Sequence, residues 1–416
     1  MAKGIKYLRQ KLAVKRARVE LRYGFYDMKN RTKDFNISTP PSLIGWTSCL
    51  GWCGSAVDSI ADRLMFKRFK NDNFGLNEIF GMNNPDLLFD AACKGALISS
   101  CDFIYIRPDD DGYPQLEVID GANATGELDP VTGFLKEGYA VLERDQDTGN
   151  PLVEAYFLPK RTEYYWIDPS GRSNSTIRER VYTHVANYPL LVPVIFRPDA
   201  SRPFGHSRIS RACMSLMGSA IRTIKRSEIS AEFSSFPQKW VTGLSRNHQK
   251  MEKWKAAMSY MLAFEQDKNG EHPIVGQFQQ QTMAPHMDQL KMFASLFAGE
   301  TGLTMDDLGF PTANPSSAEA IKASHENLRK TAKKAQKTFG SAFLNAGILA
   351  ASIRDEFPYR RTAFYESIPC WYPVFEPDLS ALTLVGDGAQ KINLAVPGFF
   401  DAEALADMTG IDPAEG

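Results

Sequence analysis

At 416 residues the chain is longer than one simple hydrophobic core serves, so two or more domains are expected. Its 43% hydrophobic and 23% charged residues are ordinary for a globular protein. A net charge of −1 gives no global field to draw it to nucleic acid, and the absence of a run of about 18 apolar residues makes a membrane span unexpected.

Residues 1–28 read as a basic helix. Lys3, Lys6, Arg9, Lys11, Lys15, Arg16, Arg18, Arg22, Lys29, Arg31 and Lys33 face few acids there. Such a face serves nucleic acid, a packing partner or simply solvent. The N-terminal stretch lacks the apolar core of a signal peptide. The six cysteines (Cys49, Cys53, Cys93, Cys101, Cys213, Cys370) are scattered, and no second close pair joins Cys49 and Cys53 to make a zinc site. Reduced, mostly buried thiols and assembly in a cytosol are expected. A polar linker, 30–41, leads to two apolar helices, 43–69 and 77–97.

From about residue 99 to 196 the apolar period drops to two. Short strands such as Phe103–Ile106, Tyr139–Leu142 and Val153–Phe157 alternate with Asp/Gly/Asn turns, which predicts an antiparallel meander. The turns at Asp109–Gly112 and Asp145–Asn150 lack the glycine and glutamate spacing of a calcium hand. Helical spacing returns over 203–236 and stops at Pro237. The stretch 238–281 has a β-α-β pattern: strands at 239–242 and 274–278 around an amphipathic helix at 247–264. Inserted between two long helices, this unit must have its ends close together.

A helix is predicted over 287–308. Gly309-Phe310-Pro311 through Asn314-Pro315 then forbids continuation. Ser316 and Glu319 form a capping box for a long helix running to about residue 353. Ala332, Ala335, Phe339 and Ala342 belong to its apolar, small-residue stripe, and Lys333 and Lys337 to its basic flank. The stripe suits close packing, either against neighbouring chains or in a large core. His325 on the same stripe reads as a packed or interface histidine. An edge strand within 363–375 and short helices near 386–396 and 401–408 complete the chain, which turns acidic with Asp401, Glu403, Asp407, Asp412 and Glu415.

No Walker-type loop, dinucleotide fingerprint, nucleophile elbow or metal-spaced histidine pair occurs. No catalytic residue, metal or cofactor is therefore assigned, and the expectation is a non-enzyme.

Three stretches resemble a known family. They are Arg202-Pro203-Phe204-Gly205-His206-Ser207-Arg208-Ile209, Ser235-Phe236-Pro237-Gln238-Lys239-Trp240-Val241-Thr242-Gly243, and Gly309-Phe310-Pro311 through Asn314-Pro315-Ser316-Ser317-Ala318-Glu319-Ala320-Ile321. Their order resembles that in tailed-bacteriophage portal proteins, the head-to-tail connectors of double-stranded DNA phages, over about residues 40–395. The resemblance implies an α+β subunit. Its wing would comprise a helical region (residues 1–97), an antiparallel β region (residues 98–202) and a long helix (residues 316–355). Stem helices would span 203–236 and 287–308, a clip 237–286 and a channel loop 309–315. Residues 356–416 would hold the return strand and a short or missing crown.

The resemblance further implies a ring of about twelve subunits at one capsid vertex of the virion, assembled in the host cytoplasm. It implies major capsid protein, terminase and head-completion or connector proteins as partners, and no membrane. Double-stranded DNA would pass through the ring. Channel candidates are Gly309, Phe310, Thr312, Asn314, Asp306, Asp307, Lys291, Arg222, Lys225 and Arg226. They mix signs, as a wall that must not grip phosphate should. Subunit-interface candidates are Ala332, Ala335, Phe339, Ala342, Lys333 and Lys337. Partner docking falls to Trp240, Lys250, Trp254, Met258 and Met261, the last three packing the clip or touching a partner. The alternatives are another oligomeric phage structural protein, of tail or capsid, or a nucleic-acid-processing enzyme.

Overall fold

The structure, a computed structural model, describes residues 3–33, 45–108, 113–168, 176–235, 239–242, 274–277, 282–311, 323–375 and 379–411. The basic N-terminal stretch forms α1 (Ile5–Tyr26), which turns Leu8, Leu12 and Val19 inward. Helix α2 (Trp52–Ala61) follows, then strand β1 (Phe66–Lys70). The apolar spacing over 43–69 predicts one helix. The structure corrects this: β1 pairs antiparallel with β12 (Ile368–Trp371), a partner about 300 residues away that local periodicity cannot announce. The expected helix at 77–97 divides into α3 (Leu76–Gly81) and α4 (Pro85–Ser99). Asn84 adopts a left-handed conformation (φ 49°) between them, with Pro85 starting the next helix.

Eight strands occupy the stretch of period two: β2 (Cys101–Pro108), β3 (Pro114–Ile119), β4 (Ala124–Leu128), β5 (Leu135–Arg144), β6 (Pro151–Leu158), β7 (Arg161–Ile167), β8 (Thr176–Thr183) and β9 (Leu191–Ile195). They form an antiparallel five-stranded meander, β4-β5-β6-β7-β8, and a three-stranded sheet, β3-β2-β9. Two turns of the meander share a D-x-x-T-G sequence. Thr132 donates its hydroxyl to Asp129 and Thr148 donates to Asp145, at 2.8 and 2.9 Å. Gly133 and Gly149 take the left-handed position each turn requires. The turn at 145–150 is thus a hairpin, as predicted, while Asp109–Gly112 lies outside the described residues.

Helix α5 (Arg211–Ser235) leads to β10 (Lys239–Thr242), which pairs antiparallel with β11 (Ile274–Gln277). Helix α6 (Ala284–Thr301) runs back. It ends seven residues before the predicted Leu308, because Gly302 adopts a left-handed cap and donates to the carbonyl of Ala298 at 2.7 Å. Residues Asp306–Leu308 form a single 3-10 turn. Helix α7 (Glu326–Arg354), β12, α8 (Leu379–Ala395) and α9 (Ala402–Thr409) complete the chain.

Helix α7 organises the core. Its first half is buried on one side only, through Leu328, Ala332 and Ala335. From Phe339 to Ile353 nearly every residue is buried, with Ala346, Ile348, Ala350 and Ala351 at zero exposure. Small residues let neighbours approach from all sides. A side chain at Gly340 would meet Pro369 at 2.9 Å, and one at Gly347 would meet Leu76 at 3.0 Å. The small-residue stripe is therefore this chain's own core. Ala332, Ala335, Phe339 and Ala342 are all at most 6% exposed and offer no surface to a neighbouring subunit, correcting the interface expectation for these four. One continuous apolar core links α2 to α7, and a small second cluster under α1 joins Leu8 and Leu12 to Tyr139, Val141 and Tyr156.

Candidate functional site

Helices α5 and α6 form an antiparallel hairpin. Three contacts mark its length: Ser210 Oγ to Glu300 Oε1 (2.8 Å), Thr223 Oγ1 to Gln289 Oε1 (3.2 Å), and Ser230 Oγ to His286 Nε2 (3.2 Å). Ile209, Cys213, Met217, Ala220 and Ile221 face Ala294, Phe297 and Ala298 in the apolar interior. The β10–β11 ribbon at the far end confirms that the ends of the inserted stretch meet. There Trp240 opposes Gly276, and a Cβ at Gly276 would lie 2.2 Å from the indole. A glycine is thus what lets that ring cover the strand. Trp240 itself stays 38% exposed.

The near end is built by 202–210, where helical spacing predicts the start of the helix. It is instead a shaped entry. Gly205 has φ 73°, and a Cβ there would lie 2.1 Å from the carbonyl oxygen of Phe196. Ser207 Oγ donates to Ile98 O (2.6 Å), and Ser210 Oγ caps α5 by accepting from the Cys213 N–H (3.2 Å). Arg208 is only 6% exposed. It donates from Nε to Ala56 O (3.0 Å) and from Nη2 to Thr301 O at the end of α6. A guanidinium there joins α2 to α6 and satisfies a terminal helix carbonyl. Burial pulls its pKa down to about 10, so it stays charged at neutral pH. Beside it, Asp199 accepts from His206 Nε2 (2.5 Å) and lies far below the usual carboxylate range. His206 is the first cause, with Ser201 and the Arg202 N–H adding to it. Sequence reasoning assigns no role to Arg208 or Gly205, although both fall inside the first family-like stretch.

The channel candidates divide. Lys291, Asp306, Asp307 and Gly309 are exposed, and Arg222 and Arg226 half-buried. Lys225 is only 4% exposed, because segment 45–48 lies over this face and Trp46 and Ser48 share a crevice with it. It is corrected from wall residue to buried cation. Asp307 accepts from the Thr304 N–H (2.8 Å) and sits 3.8 Å from His325 Nδ1, tying the turn to the start of α7. His325 is packed, as expected, and lies at the helix N-cap. Phe310 is half-buried against the main core. Thr312, Asn314, Lys250, Trp254, Met258 and Met261 lie outside the described residues. Lys333 and Lys337 are exposed; Lys334 and Lys337 line a cleft with Arg197, Asp199, His206 and Glu300.

Much of the basic side of helix α1 is engaged, although Lys6 and Arg18 stay exposed. Lys3 and Lys11 bridge to Glu127 at 3.1 and 2.6 Å, and Arg9 pairs with Glu154. Lys15 Nζ donates to Ala124 O (3.1 Å), and Arg22 Nη1 to Ser99 O (2.7 Å). Among the described residues no group of three His, Cys, Asp or Glu is placed to hold a metal, and no helix is long and apolar enough to cross a membrane.

No protein-family model matches the chain. It is similar to the portal protein of Mycobacterium phage D29, with 24% identity over 345 residues, covering 78% of this chain and 69% of that protein. It is equally similar to the portal protein of Mycobacterium phage L5, with 24% identity over 351 residues, covering 79% and 70%. Among solved structures, a chain of the neck of an empty gene transfer agent particle aligns with a TM-score of 0.49 at 12% identity, covering 92% of this chain and 96% of that one. A chain from the neck of the native particle aligns at 0.46. Phage portal proteins are thus what this sequence resembles, over nearly four-fifths of its length.

Proposed function

We propose that this chain is the subunit of a portal ring at a phage capsid vertex, through which double-stranded DNA is packaged and ejected. The observation that carries the reading is a helical hairpin tipped by a two-stranded ribbon, in a sequence aligned with portal proteins over most of its length. On this reading α5 and α6 are the stem, the stretch between them the clip, and the β-sheets with α7 the wing. The exposed signs on the hairpin and its turn are mixed (Lys291 against Asp306 and Asp307), which suits a wall that duplex slides past. With the alanine stripe internal, the exposed Lys333 and Lys337 remain as interface candidates. Capsid protein, terminase and connector proteins are the partners the reading implies.

A closed ring needs head-to-tail contacts that return on themselves. The test is particle mass. About twelve copies of a 46.5 kDa chain give a particle near half a megadalton, without ATP turnover. A stable monomer at micromolar concentration would overturn the proposal.

A further inference from the structure

Between the middle of α7, the 3-10 turn Arg361–Phe364, the β4–β5 turn and the β8–β9 loop lies an open cleft of about 860 Å³. The hairpin does not contribute to it. Arg360 and Arg361 stand on its wall with Tyr188, Phe364 and Tyr365, and no lining residue is acidic. Arg361 is half-buried, yet its guanidinium meets only neutral acceptors, Asn345 Oδ1 and Ser341 Oγ (3.0 Å). Arg360 is exposed and makes no ion pair among the described residues. Two carboxylates bond to residues of the cleft wall, Glu366 accepting from Tyr365 OH (2.5 Å) and Asp129 from Thr132 Oγ1 (2.8 Å), and among the described residues neither forms an ion pair with Arg360 or Arg361.

We propose that this cleft docks an acidic peptide segment of a partner protein, in which a carboxylate is followed by an aromatic or large apolar side chain. The carboxylate meets the two guanidiniums, whose planar forks match it in two-point geometry. A half-buried cation without a counter-charge is costly, and the incoming anion removes that cost. The neighbouring side chain lies against Tyr365, 78% exposed, and against the wall of Tyr188 and Phe364. Tyr188 is held rigid for this by stacking on Phe134, with ring centres 4.1 Å apart and planes 9° apart. Burial lowers the Arg361 pKa, and no carboxylate beside it offsets that cost. Duplex phosphates are a poorer fit: they ride on a convex rod and are met by broad basic faces, whereas this cleft is concave, aromatic and free of lysine. The inference does not depend on the chain's closing a ring.

The test is fluorescence anisotropy on the full-length protein with a labelled Gly-Ser-Glu-Phe-Glu-Ser peptide and its isostere Gly-Ser-Gln-Phe-Gln-Ser. The acidic peptide is expected to bind at least about tenfold tighter than the amide, with affinity falling as salt rises. Both R360Q and Y365A change exposed side chains and should fold normally. Each is expected to weaken binding about threefold or more. Equal binding of both peptides, no loss in R360Q, displacement by inorganic phosphate at peptide-like concentrations, or no binding because a second copy covers the cleft would each overturn the proposal.

Discussion

Arg208 and Gly205 are single residues on which the geometry of the hairpin entry rests. Replacing Arg208 by alanine strands the buried carbonyl of Thr301 at the end of α6 and removes the tie to Ala56 O, which keeps Ser59 Oγ (3.2 Å), and should cost about 2 kcal/mol in urea unfolding. Lysine should not restore it, because one ammonium cannot reproduce a planar fork aimed at two helices. Gly205→Ala combines a left-handed backbone with a backbone clash and should cost at least about 2 kcal/mol. Neither role is legible from residue type alone, since the acceptors lie about 150 and 90 positions away in sequence.

Two buried titratable groups act oppositely on pH stability. His184, 9% exposed, is held down to about 4 by burial. Its folded pKa lies below the unfolded value near 6.5, so its contribution is present above about 6.5 and is lost as pH falls towards 4. Asp102, 2% exposed, is raised to about 7, burial outweighing the Ser99 hydroxyl and the Gly121 N–H that favour its anion. Its contribution is complete below about 3.8 and is lost as pH rises through 7. Between pH 4 and 6.5 the slopes oppose, each on the order of 3 kcal/mol in full. D102N should leave urea midpoints that climb with pH across that window; H184Q should leave midpoints that decline. Parallel profiles for the two variants would contradict the assignment.

At the scale of elements, local pattern proves readable where structure is locally determined. The ribbon strands 239–242 and 274–277 appear where alternation places them, and the hairpin's two helices form within the stretches of 3.6 period, though the first starts only at Arg211 and the second stops at Thr301. Pattern fails where a distant partner decides. Residues 66–70 carry Phe66 and Phe69 at helical spacing, yet β12 recruits them into a sheet. The basic face of α1 reads as a surface, but Glu127 and Glu154, more than a hundred positions downstream, pair with Lys3, Lys11 and Arg9. Since α1 buries few apolar side chains and is held by charges, its docking should be salt-sensitive. E154A is expected to make residues 1–28 the first site of limited proteolysis at high ionic strength, with the remaining core resistant. Equal protection of wild type and variant would mean the apolar contacts of Leu8, Leu12 and Val19 suffice.

For the whole molecule, the resemblance to portal proteins is legible in three short stretches, while the channel wall is legible only in places. Exposure in one subunit separates Lys291, Asp306 and Asp307 from the buried Lys225, a distinction helical spacing cannot make because segment 45–48 folds over that face. Under the proposed function, shortening or charging 309–315 should leave ring mass unchanged and reduce DNA retention. Normal packaging by such a ring would remove that stretch from the channel.

Helix α7 is about 44 Å long at 1.5 Å per residue. It is clasped all round from Phe339 to Ile353, while residues 326–337 are covered on one side only, leaving Lys330, Lys333, Lys334 and Lys337 exposed on the other. That makes it an axle set in a bearing. A push on the half-covered end should find little local give at the clamped end, where added side chains at Gly340 and Gly347 would meet Pro369 at 2.9 Å and Leu76 at 3.0 Å, so strain there is expected to pass to the packed neighbours.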